Sequence, residues 1–265
     1  MRILRLAWKT SRTEMNDSDQ TALAHDFEVL LRYAANEKVM LTPKQQFIPV
    51  RHVRNMMADF RVKDPHEEKI GERIYKKREE MEYPRFYFLD LLAISGEFLT
   101  ISRSGRVTKG RNWQKFFEAP EAGRSFYLFC TFRAVFNVEN WFLRGGGFGE
   151  RLEEKWHGIW SRLAEWKDGQ SIEWDTWAEK IIEEFGLYWE APNQSHAKES
   201  MIWGLQYCLI KPMEYFGILE LKYRQGEYSQ ELCRVRLNPI GIDYFKRLDF
   251  GSKILRTAAS WFSVN

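Results

Sequence analysis

A pattern near residue 100 returns near residue 220, and this internal repeat constrains the fold more than any other feature of the chain. The first copy reads Gly96-x-Phe98-Leu99-x-Ile101, then Val107-Thr108-Lys109-Gly110-x-x-Trp113-x-Lys115. The second reads Gly217-x-Leu219-x-Leu221, then Leu237-Asn238-Pro239-Ile240-Gly241-x-x-Tyr244-x-Lys246, slipping by one residue before its second glycine. In each, an apolar helical segment runs into a glycine, alternating β-prone residues predict a hairpin, and a short helix closes the unit.

The surrounding segments extend the pattern. Residues 1–20 hold no sustained period and are expected to form an arm. Thr21 to Asn36 predicts a helix, with Leu23, Phe27, Leu30, Leu31 and Ala34 at helical spacings. Val39-Met40-Leu41 suits a short strand. Pro49 to Phe60 predicts a second helix, and Pro84 to Ser95 a third, ended by Gly96. Between these two lie residues 61–82, where fourteen of twenty-two residues are charged. They read as a solvated connector, helical in EEKIGERIYKKREE because charges of both signs recur there at helical intervals. Later in the chain, Trp156, Ile159, Trp160, Leu163 and Trp166 form one helical face, and Trp174, Trp177, Ile181 and Phe185 another. Such spacing assigns the tryptophans to a core rather than to a base-stacking surface. Lys198 to Phe216 predicts a further helix, and Pro239 to Leu248 a closing one.

With its "strand, Thr or Asn, x, Gly, short helix" exit, the repeat resembles the winged-helix superfamily. The expected fold is α+β and mostly α. Two winged-helix-like units, 21–118 and 150–248, flank a linking segment 119–149, in which Arg124 to Leu143 forms a helix packed between them. Gly145-Gly146-Gly147-Phe148-Gly149 reads as a hinge, since it lacks the Gly-Lys-Ser/Thr ending of a phosphate loop. Residues 249–265 form a tail.

Charge narrows the function. With 40 basic against 37 acidic residues the chain is neither a polycation nor an acidic-tail protein, and 15% aromatic content excludes disorder as the main state. Residues 1–118 carry 22 basic and 17 acidic groups, whereas residues 150–190 carry 5 and 11. Within the first unit, Phe98 to Phe117 holds Arg103, Arg106, Lys109, Arg111 and Lys115 and no acid. The winged-helix resemblance implies that such a hairpin lies along a phosphate backbone, where arginines supply the salt-dependent part of binding. Arg51 and Arg54 on the second predicted helix, with His52 and Asn55, and Arg85 at the start of the third, complete the candidate DNA-binding set. The helix before the wing, Arg85 to Ile94, offers only Arg85 and Asp90 as charged groups, too few to read a major groove.

Other chemistry finds no motif. The five histidines are scattered without metal spacing, and no nucleophile elbow or Cys–His pair occurs. No metal, cofactor or catalytic residue is expected. Cys130, Cys208 and Cys233 lie far apart, which favours a reducing cytoplasm over a disulfide scaffold. Ser125 to Leu143 is interrupted by Arg133, Asn137, Glu139 and Asn140, so no membrane partner is expected. The expected function is duplex-DNA binding through backbone contacts of the basic wing, in regulation or maintenance of a genetic element. Its rival is a non-catalytic assembly module that binds protein, another copy of itself included, on degenerate winged helices.

Overall fold

The amphipathic run around residue 27 becomes α1, Asp17–Asn36, which buries Leu23, Phe27, Leu30, Leu31 and Ala34. In this computed structural model, residues 17–70, 72–142, 147–167, 169–190, 193–225 and 230–250 are described. α1 starts four residues earlier than its period indicated and takes in the end of the expected arm; residues 1–16 lie outside the described residues. α2, Val50–Ala58, starts after Pro49, whose fixed φ suits a helix entry, and buries Val53, Met56 and Met57. Met40 contributes a single β-bridge, to Arg106, where a short strand was expected.

Residues 61–82 depart from expectation. They form an antiparallel hairpin of β1, Glu67–Ile70, and β2, Arg73–Lys76, followed by a 3-10 turn at Glu80–Glu82. Helical charge spacing is overridden by Gly71-Glu72, a two-residue connection beginning with glycine in the sequence, flanked by β-prone Ile70, Ile74 and Tyr75. Nor are the ends of the segment merely solvated. The Asp64 carboxylate accepts from the backbone N–H groups of Arg85 and Phe86 at 3.4 and 3.0 Å, and Lys77 and Glu80 are buried.

The third helix, α3, Pro84–Ser95, begins with proline at its first turn and stops at Gly96. β3, Leu99–Ile101, and β4, Val107–Lys109, form the antiparallel hairpin expected as the first wing, and α4, Trp113–Glu118, follows it. The expected single linking helix is two: α5, Glu121–Val135, and α6, Val138–Trp141. The break falls at Phe136-Asn137, where Asn137 Oδ1 caps α6 by accepting from Asn140 N at 2.6 Å. Gly145 and Gly146 of the expected hinge lie outside the described residues. Gly147, at φ 79°, instead caps α7, Phe148–Leu163, and Phe148 and Gly149 are buried, so this end of the glycine run is a helix start.

β5, Ile172–Glu173, leads into α8, Trp174–Phe185, which ends at left-handed Gly186. The next helix is interrupted: α9, Gln194–Leu205, passes through a π-helical turn at Gln206–Ile210 into α10, Lys211–Tyr215. Pro212 explains the widening, because it has no N–H for the Cys208 carbonyl and its ring crowds that turn. β6, Leu219–Gln225, and β7, Gln230–Leu237, make the second hairpin, joined by β5 in the order β5-β7-β6. α11, Pro239–Phe250, follows, so the expected tail begins inside a helix.

Helices with small antiparallel sheets make the chain α+β and mostly α. Its core is continuous, and α5 is at its centre. Phe132 meets Phe88, Trp156, Trp160 and Phe216, while Phe129 meets Trp160, Phe216 and Tyr244. Each such ring stabilises by about 1.5–3 kcal/mol through burial, and each well-set aromatic pair adds about 0.5–1.5 kcal/mol. Trp156, Trp160, Trp166 and Trp174 are buried, as their spacing indicated, and Trp141 is buried as well, whereas Trp177 is half-buried and Trp203 is 51% exposed.

Candidate functional site

The β3–β4 hairpin is short and internally fastened. At its root, Phe98 N donates to Ala93 O at 2.9 Å, and Glu97 takes the left-handed conformation at φ 53°. At its tip, Ser102 N donates to Arg106 O and Gly105 N to Ser102 O, both at 2.9 Å, with Gly105 at φ 77°. The Ser102 hydroxyl accepts from Arg106 N at 3.1 Å. One flank is tied to the segment after α1, through Leu41 N to Gly105 O at 2.9 Å and Val107 N to Val39 O at 3.0 Å. Arg103 and Arg106 therefore project from a backbone that is already set.

The candidate residues do not share one fate. Arg103 and Arg106 are exposed, and neither side chain has a partner among the described residues. Lys109 is exposed and holds its ammonium 4.1 Å from the Trp113 ring centroid, a contact that leaves its charge in place. Lys115 donates to Asn112 Oδ1 at 2.8 Å. Arg111 is ion-paired with Glu97. The run from Phe98 to Phe117 contains no acid, but Glu97, one residue outside it, folds back across the wing exit and offsets one of its five charges.

On α2, Arg51 is exposed and contacts His52 at 3.4 Å, while burial and the neighbouring Arg51 charge lower the His52 pKa. Arg54 is drawn toward the protein: its Nη2 donates to Lys77 O at 3.2 Å and its Nε to the Tyr83 hydroxyl at 3.4 Å. Arg85 leaves the candidate set. It is buried, its Nη2 donates to Asp26 Oδ2 at 3.0 Å, and its guanidinium lies 5.6 Å from the Tyr215 ring centroid. A group committed to a buried ion pair cannot meet a phosphate without taking the guanidinium away from the buried Asp26 carboxylate.

The second hairpin carries similar numbers of arginines with a different result. Arg236 pairs with Glu220, Arg234 with Glu173 at 2.5 Å, and Arg224 with Glu231 at 3.0 Å and Asp175 at 3.3 Å. Its three arginines are matched by carboxylates on its own sheet and on α8, whereas Lys222 is exposed and has no acidic partner among the described residues. Of the helices that precede the hairpins, α3 is largely inaccessible, with Phe86, Tyr87, Phe88, Leu89, Leu92 and Ala93 buried. Before the second hairpin Cys208, Leu209 and Ile210 are buried, while Trp203 on α9 is exposed.

One buried polar cluster had no sequence signal. The Glu80 and Asp90 carboxyls are buried near each other, Glu80 Oε1 and Asp90 Oδ1 lack a hydrogen-bond partner among the described residues, and Glu80 Oε2 accepts from Ile48 N at 2.5 Å. Desolvation is the main cause that raises both, Asp90 to about 6, and the negative charge of Asp90 pushes Glu80 higher still. Ile48 is 32 residues from Glu80, across a segment that read as a connector, so only the fold brings the cluster together.

Comparison with family models, curated proteins and solved structures gives no match. Among the described residues, no group of three or more His, Cys, Asp or Glu side chains could hold a metal ion, and no helix is long and apolar enough to cross a membrane.

Proposed function

We propose that this chain binds duplex DNA through the phosphate backbone, using the first wing and without reading base edges. The observation that carries this reading is the contrast between the two hairpins. The second neutralises its arginines with carboxylates, whereas the first holds Arg103, Arg106 and Lys109 exposed and free of acidic partners among the described residues. Such a hydrated, fixed cluster gains by releasing counterions from a polyanion. Burial of α3 supports backbone contact over base readout, because a helix that faces the core cannot enter a major groove. The winged-helix resemblance of the repeat points the same way and links the activity to regulation or maintenance of a genetic element.

The test is a fluorescence-anisotropy titration with unrelated duplexes and a single strand at several salt concentrations. Similar affinities for the duplexes, falling steeply with salt, are expected. Affinity that is strong for one sequence and indifferent to salt would sink the reading.

The same burial of α3 favours a second reading, a non-catalytic assembly module. Failure to bind DNA even at low salt would leave that reading standing.

A further inference from the structure

The β1–β2 hairpin is an arm whose sheet has no third strand among the described residues. All four residues of β2 are exposed, and β1 pairs with β2 alone. Ile74 is 64% and Tyr75 46% exposed, the former the most exposed large hydrophobic residue among those described. An isolated two-stranded hairpin is marginal in water, and an open strand edge with apolar side chains invites another strand.

We propose that the outer edge of β2 pairs with the β2 of a second copy of this chain, giving a four-stranded antiparallel sheet across a two-fold axis. The register argues for this occupant. In a two-fold antiparallel pair, the residue on the axis faces itself, and its neighbours face one another in mirrored order. With Ile74 on the axis, two isoleucines meet, Arg73 faces Tyr75 of the second copy, and Glu72 faces its Lys76. That is one apolar contact flanked on each side by a cation–aromatic and an acid–base pair. Moving the axis to Tyr75 would set Arg73 against Lys77, and pairing the β1 edges about Glu68 or Lys69 would place like charges face to face. Only the register centred on Ile74 combines apolar and charge complementarity. Two four-residue strands bury less than the roughly 1,000 Å² of a lasting interface, so the association is weak and concentration-dependent.

Sedimentation equilibrium of the full chain from about 1 μM to about 1 mM measures it. A monomer–dimer equilibrium is expected. E72K sets the introduced ammonium against Lys76 of the second copy. E67K/K76E sets Glu72 against an introduced carboxylate, while keeping an acid–base pair within its own hairpin, where positions 67 and 76 are opposite. Each variant alone should dimerise about tenfold more weakly, and an equimolar mixture should recover association as a heterodimer. These positions are exposed, and circular dichroism checks that each variant is folded. A monomer across the whole range overturns the proposal. So does a dimer indifferent to both variants, which would place the interface elsewhere.

Discussion

Asn112 and Asn238 perform the same task at the two hairpin exits. Asn112 Nδ2 donates to Gly96 O at 3.0 Å and its backbone N–H to Glu97 O at 2.9 Å. Asn238 Nδ2 donates to Gly217 O at 2.6 Å and its N–H to Ile218 O at 3.2 Å. Each asparagine thus satisfies two consecutive carbonyls left over where a helix meets a hairpin. Beside it, Gly110 and Gly241 lie so close to the carbonyls of Glu97 and Ile218 that a Cβ at either position would collide with backbone. Replacing Asn112 with Ala leaves a buried carbonyl short of a donor, at a cost of about 1–3 kcal/mol. Asn238→Ala should cost less, because its site is only part-buried. Urea denaturation of both variants measures the difference, and an unaffected midpoint in Asn112→Ala would show that the bond is incidental.

Asp26 is the second structural pivot. It accepts from Arg85 Nη2 at 3.0 Å, from Arg61 N at 2.6 Å and from Val62 N at 3.3 Å, fastening α1, α3 and the root of the arm. Arg85→Ala is expected to destabilise by about 3–5 kcal/mol, since it leaves a fully buried carboxylate with its countercharge removed. Arg103→Ala, at an exposed site, should stay within about 0.5 kcal/mol. Thermal melts of the two variants side by side test the assignment of Arg85 to the core and of Arg103 to the surface.

The Glu80–Asp90 pair makes stability depend on pH. Both carboxyls have folded-state pKa values above their ordinary ones, with Asp90 at about 6. The folded state therefore binds protons more tightly than the unfolded chain. The favourable contribution of Asp90 is complete below the ordinary carboxyl pKa of about 4 and is lost as pH rises through about 6, and that of Glu80 is lost as pH rises through its own raised value. Asp90→Asn keeps a hydrogen-bonding group there but removes the second charge. It should flatten the stability profile between about pH 4 and 6 and stabilise the protein at neutral pH by on the order of 2 kcal/mol. A variant that keeps the parent's slope across that window would contradict the raised pKa of the Asp90 carboxyl.

The three thiols should react in a fixed order. Burial pushes Cys130 up to about 12 and Cys208 well above its usual value, so neither supplies thiolate near neutral pH. Cys233, on β7, makes a contact to Lys222 O at 3.2 Å. Timed alkylation read by peptide mass spectrometry should label Cys233 first and Cys208 only on unfolding.

Where one apolar face decided the structure, the sequence could be read directly. Leu23, Phe27, Leu30 and Leu31 on α1, and Trp156, Ile159, Trp160 and Leu163 on α7, are buried as their periods require. Gly96 ends its helix as expected. The arm was missed because Glu67, Glu68, Lys69, Arg73 and Lys76 mimic helical charge pairing, while the deciding signal was the two-residue Gly71-Glu72 connection. At the wing, the basic run was legible but its partial neutralisation was not. Glu97 stands one residue outside that run, and only the left-handed turn at the helix exit brings it to Arg111. Arg85 read as a surface cation because its partner, Asp26, is 59 residues away.

The most direct test of backbone binding by the first wing is the salt dependence of duplex affinity in Arg103→Ala/Arg106→Ala. The slope of log K against log salt changes by about 0.9 for each phosphate that the protein no longer neutralises. The double variant should bind unrelated duplexes more weakly by a similar factor, with a slope shallower by up to about 2. Arg234→Ala/Arg236→Ala, on the carboxylate-paired hairpin, should leave the slope where it was. Unchanged affinity and slope in a folded Arg103→Ala/Arg106→Ala protein would contradict the account.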